Sequence, residues 1–286
     1  MTGSALRRAA AVAVVMGLAL AMLHFYRAGR VGAPPRSLGL PAFYAKYVSV
    51  GGLPVLGSSR VPDRALRVAA DIIRHLCRQR HDVLRQLASV RVRVAVIAKS
   101  EKTTDIPEYA GLPTEYWDWR ARGLGATVER RVCSAAEENL LGYPGDRWPE
   151  VNVLVHEFAH TIHTLALSYL QPDFDQRLRD LYRDARKRGL FDSTYAGTNS
   201  SEYWAEGVTS WFDSNRQAIP TDGISNSVNT RSELEEYDPA LADLIRSVFR
   251  DVDPLPPPAR RLEAARLRDP ALPLDSIGSR PVSATP

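Results

Sequence analysis

The sequence predicts an α+β fold, on three observations. Residues 90–98 alternate, with Val90, Val92, Val94 and Val96 on one side and Arg91 and Arg93 on the other, the pattern of a half-buried strand. Residues 63–80 place Leu66, Ala69, Ala70, Ile73, Leu76 and Cys77 at helical spacing. Residues 150–170 are helical in pattern and strongly apolar, through Val151, Val153, Leu154, Val155, Phe158, Ile162 and Leu165. The other elements follow in order. Residues 101–149 read as irregular, broken by Pro107, Pro113, Pro144 and Pro149, and a long irregular stretch inside a domain often borders a functional cleft. An amphipathic helix over 173–188 stops at Gly189, and 191–199 form a loop. Asn199 or Ser200 caps a further helix running to about residue 214. Asp238-Pro239 opens a last helix that runs to residue 250.

The 286 residues, 44% of them hydrophobic, are enough for one large domain, expected over residues 41–250. Residues 9–23 are an unbroken apolar run between Arg7, Arg8 and Arg27, Arg30. Extended through His24, Phe25 and Tyr26, the run reaches the short limit for a bilayer span of about 20 residues. The expectation is therefore a signal-anchor or signal segment plus linker over 1–40, with the body exported and membrane-attached. Secretion after cleavage is the alternative; Val31-Gly32-Ala33 is the nearest cleavage-like site, but Pro34 beyond it is unfavourable. Residues 251–286, rich in Pro and Arg, are expected to be a disordered tail. The formal net charge is only +4, and no dense basic cluster interleaves with aromatics, which argues against a nucleic-acid partner. Cys77 and Cys133 are the only cysteines and read either as one disulfide or as two buried thiols.

The apolar helix contains His156-Glu157-Phe158-Ala159-His160, an HExxH pattern. Positions four apart share one helix face, so both imidazoles can reach a single metal ion. Zinc held by three protein ligands keeps a fourth position for water and lowers its pKa to about 7. Glu157, next to the first histidine, is placed to take the proton. In so apolar a helix, two imidazoles beside a glutamate would be costly without a partner. A third ligand at suitable chain distance falls within 199–207, Asn-Ser-Ser-Glu-Tyr-Trp-Ala-Glu-Gly.

HExxH followed by a glutamate on a second helix resembles the gluzincin zinc metallopeptidases. The site is most similar to the anthrax lethal factor and Pro-Pro endopeptidase group, where a tyrosine precedes the ligand glutamate by seven residues and another glutamate follows it by four. Tyr195, Glu202 and Glu206 reproduce both spacings, and Asn199 also fits. The resemblance covers about residues 150–214. It implies a zincin-like domain that hydrolyses peptide bonds in a peptide or protein substrate. It further implies one Zn2+ ligated by His156, His160 and Glu202, with Glu157 as general base and Tyr195 as oxyanion donor.

Several residues carry a second reading. Glu202, three positions after Asn199, also suits a capping box. Glu206, one turn beyond Glu202, competes as a ligand but better suits a carboxylate partner for the outer nitrogen of a metal-bound histidine. His163 is either a fourth ligand closing a structural zinc site or a histidine packed beside the cleft. Glu137, Glu138 and Asn139 line the cleft or form an exposed turn, and Asp213 supports the site or is a surface acid. His75 and His81 carry no functional weight. The alternative function is a non-catalytic or structural-zinc module of the same fold that binds a protein partner.

Overall fold

Residues 30–255 are described by a computed structural model of the chain. The fold is α+β. Strands β1 (Lys46–Val50) and β2 (Leu53–Gly57) form an antiparallel hairpin, turned by Gly51 and Gly52 at φ 56° and 91°, a left-handed pair that side chains disfavour. Helices α1 (Asp63–Leu76) and α2 (His81–Ser89) then carry the chain over to β3 (Arg93–Ile97), parallel to β2. Next come helix α3 (Thr114–Arg120), the two-residue strand β4 (Gly123–Leu124) and strand β5 (Val132–Ala136). The resulting mixed sheet has the order β1-β2-β3-β5-β4, with β5 parallel to β3 and antiparallel to the edge strand β4.

The remainder is helical. Helix α4 (Glu137–Leu141) precedes α5 (Val153–Ile162), which continues through a π turn at His163–Leu167 into the short α6 (Ser168–Leu170). Helices α7 (Phe174–Lys187), α8 (Ser200–Trp211), α9 (Arg231–Tyr237) and α10 (Pro239–Phe249) follow. Caps set the expected boundaries: Gly189, at φ 73°, lies just past α7, and the Asp238 side chain accepts from Leu241 N at the start of α10.

The main core lies between the sheet and the helices, with Val94 and Val96 of β3 meeting Leu66, Leu154, Phe158, Trp204 and Ile245. A smaller core covers the other face of the sheet, where Ala95 and Ile97 meet Tyr44, Ile106, Tyr109 and Val132. Strand β3 is thus buried on both faces rather than half-buried as its alternation predicts, because segment 103–112 covers the second face. Arg93, at its start, is neutralised by Glu108 at 2.7 Å.

Among the described residues no helix is long and apolar enough to cross a membrane. The membrane anchor, and with it the exported or secreted location expected from residues 9–26, is corrected accordingly; that segment lies outside the described residues. Part of the expected linker joins the fold, Gly32 exchanging two backbone hydrogen bonds with Tyr47. So does the start of the expected tail, where Val252 is buried and Leu255 N donates to Phe212 O at 2.7 Å; residues 256–286 lie outside the described residues. Cys77 and Cys133 are free and buried. Burial pushes the Cys77 thiol up to about 12 and that of Cys133 upward as well.

Candidate metal centre

The site is built where α5 crosses α8. Asn139 orders the entry to α5: its Oδ1 accepts from Val153 N at 2.9 Å, while its Nδ2 donates to Asp146 and to the Trp148 and Val151 carbonyls. Leu154, Val155, Phe158 and Ile162 turn into the core, so His156, Glu157 and His160 occupy the remaining side of the helix. Asn199 caps α8 by accepting from Ser201 N and Glu202 N, both at 2.9 Å, which fixes Glu202 in the first turn. Trp204 then ties the helices together, donating to Ala159 O at 2.9 Å.

This crossing brings three donor atoms together. His156 Nε2 and His160 Nε2 are 3.1 Å apart, and Glu202 Oε2 lies 3.2 Å from the first and 3.1 Å from the second. His156, His160 and Glu202 form a group able to hold a metal ion. Ligands about 2.0–2.1 Å from a tetrahedral zinc stand ~3.3 Å from one another, so the triangle has the size of three tetrahedral positions. Two ring nitrogens facing each other cannot both carry a proton and also meet one carboxylate oxygen comfortably; a cation between them satisfies all three. The Glu202 carboxylate thus meets the histidines, and Asn199 caps α8 without a reciprocal capping box.

The charges point the same way. Burial alone would lower the His156 pKa, but Glu202 and Glu206, one at each ring nitrogen, outweigh it and hold the pKa well above its ordinary value. Burial also works against charging Glu202, yet the two imidazoles hold its carboxyl well below the usual range. A pocket that draws protons onto imidazole in this manner is one that attracts a cation.

No family model and no curated protein matches the chain. What the site can do is therefore read from its own geometry.

Around the triangle, each imidazole has a partner on its outer nitrogen. Glu206 Oε1 lies 3.2 Å from His156 Nδ1, and Ser201 Oγ lies 2.9 Å from His160 Nδ1. Asn215 steadies Glu206, donating to its Oε2 at 2.8 Å. Such contacts orient metal-binding imidazoles and fix their tautomers. Glu157 lines an adjoining cleft of about 210 Å³ together with His156, Tyr195, Glu206, Asn215, the edge strand β4, Trp117 and Ile224. Burial raises the Glu157 pKa above the ordinary carboxylate value, against the pull of both histidines and a hydrogen bond from the Gly125 backbone. The Tyr195 ring stacks against His156, with centroids 6.2 Å apart and planes 24° off parallel. Burial, then the nearby Glu202 carboxylate, raises the Tyr195 pKa, so its hydroxyl stays protonated and able to donate.

Other candidates fall elsewhere. His163 turns away to Asp175, 2.9 Å from its Nε2, at the point where α5 passes into the π turn. Glu137 and Glu138 are neither in the cleft nor in an exposed turn; both are buried, one accepting from Lys99 N at 2.9 Å and the other clasping Arg122 through two bonds of 2.7 and 3.0 Å. Asp213 accepts from Arg231 N at 2.8 Å. Sequence reasoning misses Ser201, Asn215, Gly123 and Gly125. Ser201 had a visible signal, its place in the first turn beside Glu202; the others are placed by chain crossings that no local pattern reports.

Proposed function

We propose that the chain is a zinc-dependent metallopeptidase of gluzincin type with a zincin-like fold. The observation that carries this reading is the triangle of His156, His160 and Glu202 donor atoms opening, beside Glu157 and Tyr195, into a cleft walled by a sheet edge. His156, His160 and Glu202 would hold the ion. When bound, zinc supplies Lewis acidity for a carbonyl and lowers the pKa of water.

The chain's own residues account for the rest. Glu157, with its pKa raised by burial, takes the proton of the attacking water and passes it to the leaving amine, which needs a carboxylate of more than ordinary basicity. Tyr195, protonated and stacked beside His156, donates a hydrogen bond to the oxyanion that develops on the scissile carbonyl. Glu206 and Ser201 hold the two imidazoles in position. Among the described residues strand β4 pairs in the sheet with β5 alone, and its residues line the cleft, where a strand edge can take an extended peptide by backbone hydrogen bonds without regard to sequence.

Metal analysis tests the ligand assignment. The full-length protein binds one zinc per chain and cleaves a mixed peptide library, chelator abolishes cleavage, and zinc restores it. Glu202→Ala loses the metal while keeping the fold. Retention of stoichiometric zinc by that variant would remove Glu202 from the ligand set.

A further inference from the structure

We propose that Arg120 selects substrates carrying a carboxylate within about three residues of the scissile bond. The inference rests on the peptidase reading above and names the substrate class of that site. Two arginines line the cleft, Arg120 and Arg122. Arg122 is consumed by the fold: it pairs with Glu138 through two bonds and donates to the Glu101 and Ala98 carbonyls. Arg216, which follows the cleft residue Asn215, is paired with Glu150 at 3.6 Å and with Asp222. Arg120 has no carboxylate in ion-pair or hydrogen-bonding reach among the described residues. It is exposed, and its guanidinium sits over the Tyr195 ring, 6.0 Å from the centroid.

That position fixes its reach. The Tyr195 ring is 6.2 Å from the His156 ring, so the guanidinium carbon lies no more than about 12 Å from the metal-binding imidazole, and extended chain spans roughly 3.3–3.6 Å per residue. Arg120 closes α3 and stands three residues before Gly123, where the edge strand begins, so a peptide laid along β4 runs past it. An arginine packed on an aromatic face keeps its planar fork of donors free at the rim, the geometry that binds a carboxylate by two parallel hydrogen bonds. A lysine-bearing substrate would meet the same charge as repulsion. The carboxylate can belong to an aspartate or glutamate side chain or to the free C-terminus of the peptide.

The test uses the full chain with one equivalent of zinc and a mixed-sequence peptide library in free-acid and C-terminally amidated forms. Its readout is the ratio of kcat/KM for carboxylate-bearing peptides to that for their Asn or Gln counterparts. The wild type gives a ratio of about ten or more, the scale of one charge-assisted contact, Arg120→Ala brings it to about one, and Arg120→Glu shifts preference to Lys and Arg. Preference that survives amidation assigns the carboxylate to a side chain, and preference that amidation abolishes assigns it to the chain end; either supports the proposal. Cleavage by the wild type at a ratio near one, or a ratio unchanged in Arg120→Ala, overturns the role of Arg120 and leaves the peptidase reading standing. A zinc-loaded wild type that cleaves no peptide overturns both.

Discussion

Glu206 Oε1 lies 3.2 Å from Nδ1 of His156, the ring nitrogen opposite the one that meets Glu202. Two carboxylates from successive turns of α8 thus grip one imidazole, the first meeting the nitrogen that faces His160 and the second the nitrogen on the far side of the ring. Glu206→Ala is expected to weaken zinc binding about 10 to 100-fold while leaving the three ligands in place. Glu206→Gln, which keeps an acceptor oxygen, should lose less. Competition with a chromophoric chelator measures both, and equal affinity in wild type and Glu206→Ala would contradict the role.

Tyr195→Phe removes the proposed oxyanion donor but keeps the ring that stacks on His156. One such donor is worth roughly 10² to 10³ in kcat, so the variant should lose activity on that scale with KM little changed and zinc retained. A fall confined to KM would make Tyr195 a binding residue only.

Close backbone approach at the sheet edge makes Gly123 and Gly125 structural requirements of the site. A Cβ on Gly125 would stand 2.8 Å from His160 Cβ and 3.1 Å from Glu157 O, and one on Gly123 would stand 2.6 Å from Val153 Cγ1. Each Gly→Ala change is expected to cost about 1–3 kcal/mol in denaturant unfolding and to weaken zinc binding. Gly111→Ala, with open space around its Cβ, should stay within about 0.5 kcal/mol of wild type.

The metal-free protein should lose stability as pH rises through neutrality. The folded pKa of His156 is raised above its ordinary 6.5, so its favourable contribution is complete below that value and is lost as pH climbs toward the folded pKa. Glu157, an acid raised by burial, shifts stability in the same direction above 4.5. Glu202 acts oppositely but only in acid, since its depressed pKa confers stability that is lost as pH falls below 4.5. Zinc requires neutral imidazoles, so the stabilisation it adds should grow over the window in which the metal-free protein weakens. Melting curves with and without zinc from about pH 6 to about 9 check this, and a zinc increment that shrinks with pH would contradict it.

Legibility in the sequence followed how local each determinant is. Helices α5, α7, α8 and α10 show in their periodicity and in the caps Asn199, Gly189 and Asp238, and the site residues on α5 and α8 follow from their spacing. The capping box Thr230–Glu233 that opens α9 is an equally local signal. Strands β2 and β5, read Leu-Pro-Val-Leu-Gly and Val-Cys-Ser-Ala-Ala, are too buried to alternate. Strand β4 is two residues long and exists only through its pairing with β5. The wall of the cleft is therefore hidden inside a stretch that reads as irregular, 101–149, whose length and prolines mark it only as bordering a cleft.

On the proposed function, Glu157 works beside a zinc held by His156, His160 and Glu202. Peptide-library cleavage by zinc-loaded wild type and Glu157→Gln, with zinc content measured on the same samples, tests it most directly. Both proteins should hold one zinc per chain, the wild type should cleave, and Glu157→Gln should lose at least about 10²-fold, the scale of a general base. Equal cleavage by the two proteins, or a zinc-loaded wild type that cleaves nothing, would contradict it.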